Sequence, residues 1–212
     1  PTFEQELLDG LLLGDDCMVV DARNPERQTA TFRLTSKHLS VASWSAERLP
    51  SLGGGIHSTI ETLRYKTRQG EQREVQCPKS IFYSRASPHL LSLAERWYIS
   101  ENGTRRKIVP RDLRLTPTVA LAWYLGDGGT NYSRHGRACL RLSTHSFSSD
   151  EVRRLCLAIR DSGIGCSVDG VWCDTSQWTL RIPALQAEHF LNYIGPPPVE
   201  ELAHRWRLTR PA

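Results

Sequence analysis

Two Gly-Asp pairs stand at matching places in two apolar runs: Gly14-Asp15 closes residues 7–15, and Gly126-Asp127 closes residues 120–127. The aspartates are 112 positions apart, about half the chain of 212 residues. Small residues recur four apart in both runs, Gly10 and Gly14 in the first and Ala122 and Gly126 in the second. On a helix this spacing makes one smooth stripe, which lets two backbones approach closely. If the two helices pack on each other, Asp15 and Asp127 emerge side by side at the same end of the pair. Two carboxylates at helix C-termini repel each other, and the negative end of each backbone dipole adds to the repulsion. A hard divalent cation relieves it, so the expected chemistry is metal-assisted.

Those helices need a scaffold, and the chain describes it twice. The first helix opens after Thr2 with Gln5 three residues on, and the second opens at Thr116-Pro117, an N-cap followed by proline at the first helical position. After the first come strand-like stretches at 18–22 and 29–35, then a helix at 36–49 that stops at Pro50 and the glycines 53–55. After the second, a polar turn at 131–136 leads to a strand at 137–143 and a helix opened by the capping box Ser148 to Glu151. Each half then offers a hairpin, 56–68 with 71–82 and 167–172 with 178–182, and a final helix, 87–99 and 183–194. The unit reads αββαββα, an α+β arrangement with an antiparallel sheet carrying helices on one face. Residues 1–104 are the expected N-terminal half, 105–115 the linker and 116–212 the C-terminal half.

Composition narrows the ligand. Net charge is +4, with arginine supplying 23 of 27 cations and lysine four. A planar five-donor guanidinium suits phosphates and guanine edges better than an ammonium. Arg137, Arg141 and Ser143 alternate with Ala138, Leu140 and Leu142; Gln177, Thr179 and Arg181 alternate with Trp178, Leu180 and Ile182. Arg33 and Thr35 oppose Phe32 and Leu34, while Arg64, Lys66 and Arg68 share one face of the long hairpin, with Arg73 on the return strand. Such polar faces are expected to enter a major groove. The six cysteines show no C-x-x-C pair, which excludes a common zinc site and leaves free thiols in a reducing, intracellular compartment. No apolar run approaches the roughly 20 residues that would cross a bilayer. The tryptophans fall in apolar patterns and read as core, and the histidines have no triad-like company.

The motif-bearing residues resemble a known family. Leu-Asp-Gly-Leu-Leu-Leu-Gly-Asp-Asp (8–16) and Ala-Leu-Ala-Trp-Tyr-Leu-Gly-Asp-Gly (120–128) look like the two motifs of the monomeric LAGLIDADG homing endonucleases. The approach from Lys107-Ile-Val-Pro through Leu115-Thr-Pro, and Ser-Phe-Ser-Ser-Asp-Glu-Val (146–152), extend the likeness over essentially the whole chain. The resemblance implies a pseudo-dimer with the motif helices on its twofold axis and both sheets forming a saddle over double-stranded DNA. It implies catalytic metal on Asp15 and Asp127, with Gly14 and Gly126 contributing beside them, and Mg2+ as the ion, Mn2+ or Ca2+ substituting. It places one basic residue per half near the scissile phosphate, here Lys107 and Arg205 in a C-terminal helix at 199–208. Arginine replaces the usual lysine there and is assigned charge stabilisation only. Asp16 stands where glycine is usual, so either of Asp15 and Asp16 could be the first ligand, with register favouring Asp15. The implied activity is a staggered double-strand break in a long asymmetric target by a soluble monomer, as in intron homing. Host intron RNA is a further possible partner. The rival readings are an RNA-binding splicing maturase on the same scaffold and a DNA-binding protein that no longer cuts.

Overall fold

The computed structural model describes residues 1–21, 28–67, 70–101, 103–133, 136–170 and 178–210. Arg68 and Gln177, both expected in the DNA-reading set, lie outside the described residues. The first half runs α1 (Phe3–Leu13), β1 (Cys17–Val20), β2 (Ala30–Ser36), α2 (Leu39–Arg48), β3 (Gly55–Lys66), β4 (Gln72–Tyr83) and α3 (His89–Trp97). The second runs α4 (Pro117–Asp127), β7 (Gly128–Tyr132), β8 (Ala138–Ser143), α5 (Ser149–Asp161), β9 (Ser167–Gly170), β10 (Trp178–Ile182) and α6 (Ala184–Ile194). Between them stands a small hairpin, β5 (Tyr98–Glu101) with β6 (Thr104–Lys107). Both main sheets are antiparallel and share one strand order, β1-β2-β4-β3 and β7-β8-β10-β9, so the expected αββαββα repeat is present in space as well as along the chain.

The helix starts follow their caps. Thr2 Oγ1 accepts from the Gln5 N–H and Thr116 Oγ1 from the Val119 N–H, both at 3.3 Å, and the Ser148–Glu151 capping box closes in both directions. Alternation then sorts each sheet into two faces. Met18, Phe32, Leu34 and Phe82 bury one face of the first sheet, and Ala138, Leu140, Leu142, Leu180 and Ile182 bury the corresponding face of the second. The helices cover these faces, with Trp97, Trp123, Tyr124 and Phe190 fully buried. Trp97 also donates from Nε1 to Asp9 Oδ1 at 2.9 Å, and Arg96 Nη1 reaches the same oxygen at 2.5 Å, so the buried Asp9 carboxylate is neutralised within the core.

Three expectations are corrected. Residues 105–107, expected in the linker, form most of β6, because Arg105–Lys107 pair back onto Tyr98–Ser100. The polar stretch after the second motif is a strand, β7, whose Gly128 and Gly129 pair with Leu142 and Arg141; glycines carry no alternation signal and hid it. The C-terminal helix is a 3-10 helix over Glu200–Trp206. Among the described residues five cysteines are free, and no helix is long and apolar enough to cross a membrane.

Candidate active site and nucleic-acid interface

Helices α1 and α4 cross through the small residues the sequence marks. A Cβ placed on Gly10 would lie 2.4 Å from the Val119 carbonyl oxygen and 2.6 Å from Ala122 Cβ, so only glycine lets the backbones come this close. One turn later the glycines face each other: a Cβ on Gly14 would stand 3.7 Å from Gly126 Cα and 3.8 Å from Asp127 Cγ. At the opposite end of the seam Thr116 Oγ1 donates to Glu6 Oε2 at 3.0 Å, which fixes the helices lengthwise. All four residues of the expected helix interface therefore meet there, and the first motif's end is delivered to Asp127.

The neighbouring acids are held differently. Asp16 is buried and its Oδ1 accepts from the Thr35 N–H of β2 at 3.1 Å; desolvation drives its carboxyl up to about 8 against that bond and the Lys107 charge. Asp15 is exposed. Asp127 is raised to about 7, first by burial and then by the Asp15 charge, while Lys107 and Arg205 pull it down. Asp15, Asp16 and Asp127 thus lie within one another's fields at the end of the seam, with Asp16 also tied to the sheet through Thr35. A cavity of about 300 Å3 opens beside them, lined by Asp15, Thr35, His38, Gly126, Leu202 and Arg205.

Each half then brings one long cation to the end of its motif helix. Lys107 Nζ donates to the carbonyls of Leu12, Gly14 and Asp16 at 3.0, 2.6 and 2.8 Å. Arg205 Nη1 donates to those of Tyr124 and Leu125 at 3.2 and 2.9 Å. These carbonyls lie in or just past the last turn of each motif helix, where a cation meets the negative dipole end. All three Lys107 protons are engaged in this way, and burial holds its ammonium below the usual lysine range. The pair expected near a scissile phosphate is in this structure a pair of helix caps. The carbonyl of Gly14, a residue expected beside the metal, accepts from the Lys107 ammonium.

The sheet faces not covered by helices carry the side chains expected to meet DNA. In the second half Arg137, Arg141, Ser143, Thr179 and Arg181 share that face, but Thr179 is buried, with His145 Nε2 3.3 Å from its Oγ1, and is withdrawn from contact. Arg33 and Thr35 project from the corresponding face of the first half, Arg33 lying over the Tyr83 ring. The long hairpin departs from expectation. Its register is unbroken from Gly55↔Tyr83 to Lys66↔Gln72, so side-chain parity is conserved along it. Thr35 pairs with Ile81 and Ile81 with His57, which puts His57, Thr59, Glu61, Leu63 and Tyr65 on the open face with Lys79, Val75 and Arg73. Arg64 and Lys66 have the other parity, that of Phe82, and Arg64 is paired with Glu74 at 2.9 Å. Arg73 is on the open face as expected; Arg64 and Lys66 are not. Basic residue type suggested them, and counting register across the turn would have found Lys79 and Tyr65 instead.

The model of the LAGLIDADG DNA endonuclease family matches residues 5–188. The chain belongs to that family. Among solved structures, this LAGLIDADG chain is similar to the homing endonuclease I-WcaI bound to its DNA recognition sequence, at 19% identity, TM-score 0.74, over 98% of this chain and 87% of that one. It is also similar to I-DmoI in complex with DNA and calcium (12% identity, TM-score 0.53, 97% and 98% covered) and to an I-DmoI variant with its target DNA in the presence of magnesium (12%, 0.52, 91% and 95%). No curated protein sequence matches it significantly. The two-halved α+β fold expected from the repeat is the fold of these structures.

Proposed function

We propose that this chain is a metal-dependent, site-specific DNA endonuclease that cuts both strands of a long asymmetric duplex, acting as a monomer because one chain supplies both halves. The observation that carries the reading is the meeting of Asp15 and Asp127 at the seam. Two carboxylates from separate halves, one of them raised to about 7 partly by the other, form a site that a divalent cation would stabilise. Asp15 and Asp127 would hold the ion, with Mg2+ the proposed occupant. When bound, such a metal lowers the pKa of a water nucleophile and neutralises charge on the phosphoryl oxygens.

The rest is work for the chain's own residues. Lys107 and Arg205 hold the ends of α1 and α4, so both aspartates keep their places while DNA loads. In this role they are positioning residues, and their charges also favour the ionised form of Asp127. Arg33, Thr35 and Arg73 in one half and Arg137, Arg141, Ser143 and Arg181 in the other present donors to the grooves and phosphates. Asymmetry of the target follows from unequal halves: among the described residues β3 and β4 have 12 residues each, β9 and β10 four and five. Splicing or simple DNA retention would use the same grip but has no need of the paired carboxylates.

A randomised duplex library incubated with the protein and magnesium, then sequenced at cut ends, tests the reading. Enrichment of one long asymmetric sequence cut in both strands, abolished by a chelator, is expected. Retention of duplexes without any cut would overturn it.

A further inference from the structure

The outer part of the β3–β4 ribbon carries an apolar patch on the open face. Leu63 stands directly across from Val75, and Tyr65, next on the same face, stands across from Arg73. These three side chains are 47%, 42% and 49% exposed in the order Leu63, Val75, Tyr65. Packing within the chain does not account for them, since every residue of β3 is exposed. A ribbon meant only for solvent gains nothing from adjacent large apolar groups; a contiguous patch marks a binding surface. Parity puts it on the face of Arg33, Thr35, Lys79 and Arg73 and keeps it apart from Ile60 and Pro78, which lie on the opposite face.

The partner of that face, on the DNA-endonuclease reading on which this inference rests, is the major groove. Among base edges presented there, one group is apolar, the C5-methyl of thymine. We infer that Leu63 and Val75 read thymine through its methyl group, with Tyr65 packing beside them, and so set specificity in the outer part of the half-site gripped by the first half. Val75 is eight residues along β4 from Tyr83, the partner of Arg33. At about 3.3 Å per residue and 3.4 Å per base pair, the contact falls within roughly eight base pairs outward of the one facing Arg33.

Sequences cut from the randomised library locate the position, which is expected to be enriched in thymine. Replacing that thymine by uracil removes only the methyl group. Wild-type protein should hold the uracil duplex about fourfold more weakly, the loss expected for one buried methyl. Leu63→Ser and Val75→Ser, at exposed positions, should hold thymine and uracil duplexes equally, because a hydroxymethyl presents no methyl group to the thymine methyl. If the target is cut but shows no thymine there, or if uracil changes nothing for the wild type, this inference fails and the endonuclease reading stands. If nothing is cut or held, the endonuclease reading fails.

Discussion

Substituting the seam glycines one at a time should separate close approach from simple helix packing. At Gly10 an added Cβ would meet the Val119 carbonyl oxygen at 2.4 Å and Ala122 Cβ at 2.6 Å, about 1 Å inside ordinary contact, and both neighbours belong to the facing helix. Alanine improves helix propensity by about 1 kcal/mol over glycine, but parting two buried helices costs more; overpacking of this kind runs to about 1–3 kcal/mol and here lies at or above the top of that range. The net expectation for Gly10→Ala is a loss of about 2 kcal/mol. For a chain of this length that is a fall in Tm of about 4–8 °C. At Gly126 the same Cβ would meet only Gly14 Cα, at 3.7 Å, ordinary van der Waals distance. Gly126→Ala should therefore be neutral or slightly stabilising. The assay is thermal unfolding by circular dichroism with chelator present, alongside plasmid cleavage with magnesium. Gly10→Ala should also lose cleavage steeply, because Asp15 is displaced from Asp127. Equal Tm values for the two variants, or a more stable Gly10→Ala, would refute the packing argument.

Further expectations follow from the charges. Asp127 has its folded-state carboxyl raised to about 7 from 3.8, so without metal its contribution to stability declines as pH rises from about 4 to 7 and is flat above. Asp127→Asn should remove that penalty and raise the metal-free Tm at pH 8 by about 3–6 °C, corresponding to about 1–2 kcal/mol after solvent screening, with little effect at pH 4. In the wild type, cleavage at fixed low magnesium should fall as pH drops below 7, since the proton competes with the ion for Asp127; saturating magnesium should move that midpoint downward. Lys107→Met leaves the carbonyls of Leu12, Gly14 and Asp16, at the end of the first motif, without their ammonium and should cost about 2–4 kcal/mol, read as a lower denaturation midpoint, together with slower cleavage. Asp9→Ala leaves the Trp97 N–H without its acceptor and Arg96 with Asp112 alone, and should cost about 1–3 kcal/mol in the same assay.

The repeat, both motif helices and their shared seam were legible because glycine spacing, capping threonines and apolar periodicity all pointed one way. Gly10, Gly14, Ala122 and Gly126 meet as their four-residue spacing required. What escaped depends on pairing between distant strands. Nothing local in Arg64 and Lys66 tells which side of the ribbon they take; that is set by the register of β2 on β4 and of β4 on β3. The inward turn of Lys107 is hidden for a related reason. Its three acceptors are backbone carbonyls more than 90 residues away, and carbonyls have no sequence signature. β7 escaped because two of its five residues are glycine. Residue type alone does not distinguish Asp15 from Asp16; their different surroundings, Asp16 buried on the Thr35 N–H and Asp15 exposed, depend on a strand residue 19 positions on.

Cleavage and binding measured side by side on one selected duplex, for wild type, Asp15→Asn and Asp127→Asn, probe the shared centre most directly. Each single variant should retain the duplex within about twofold in the presence of calcium, as expected when phosphate contacts are untouched, and yet leave both strands uncut with magnesium. Undiminished double-strand cleavage by either variant would show that the two aspartates are not the metal-holding pair.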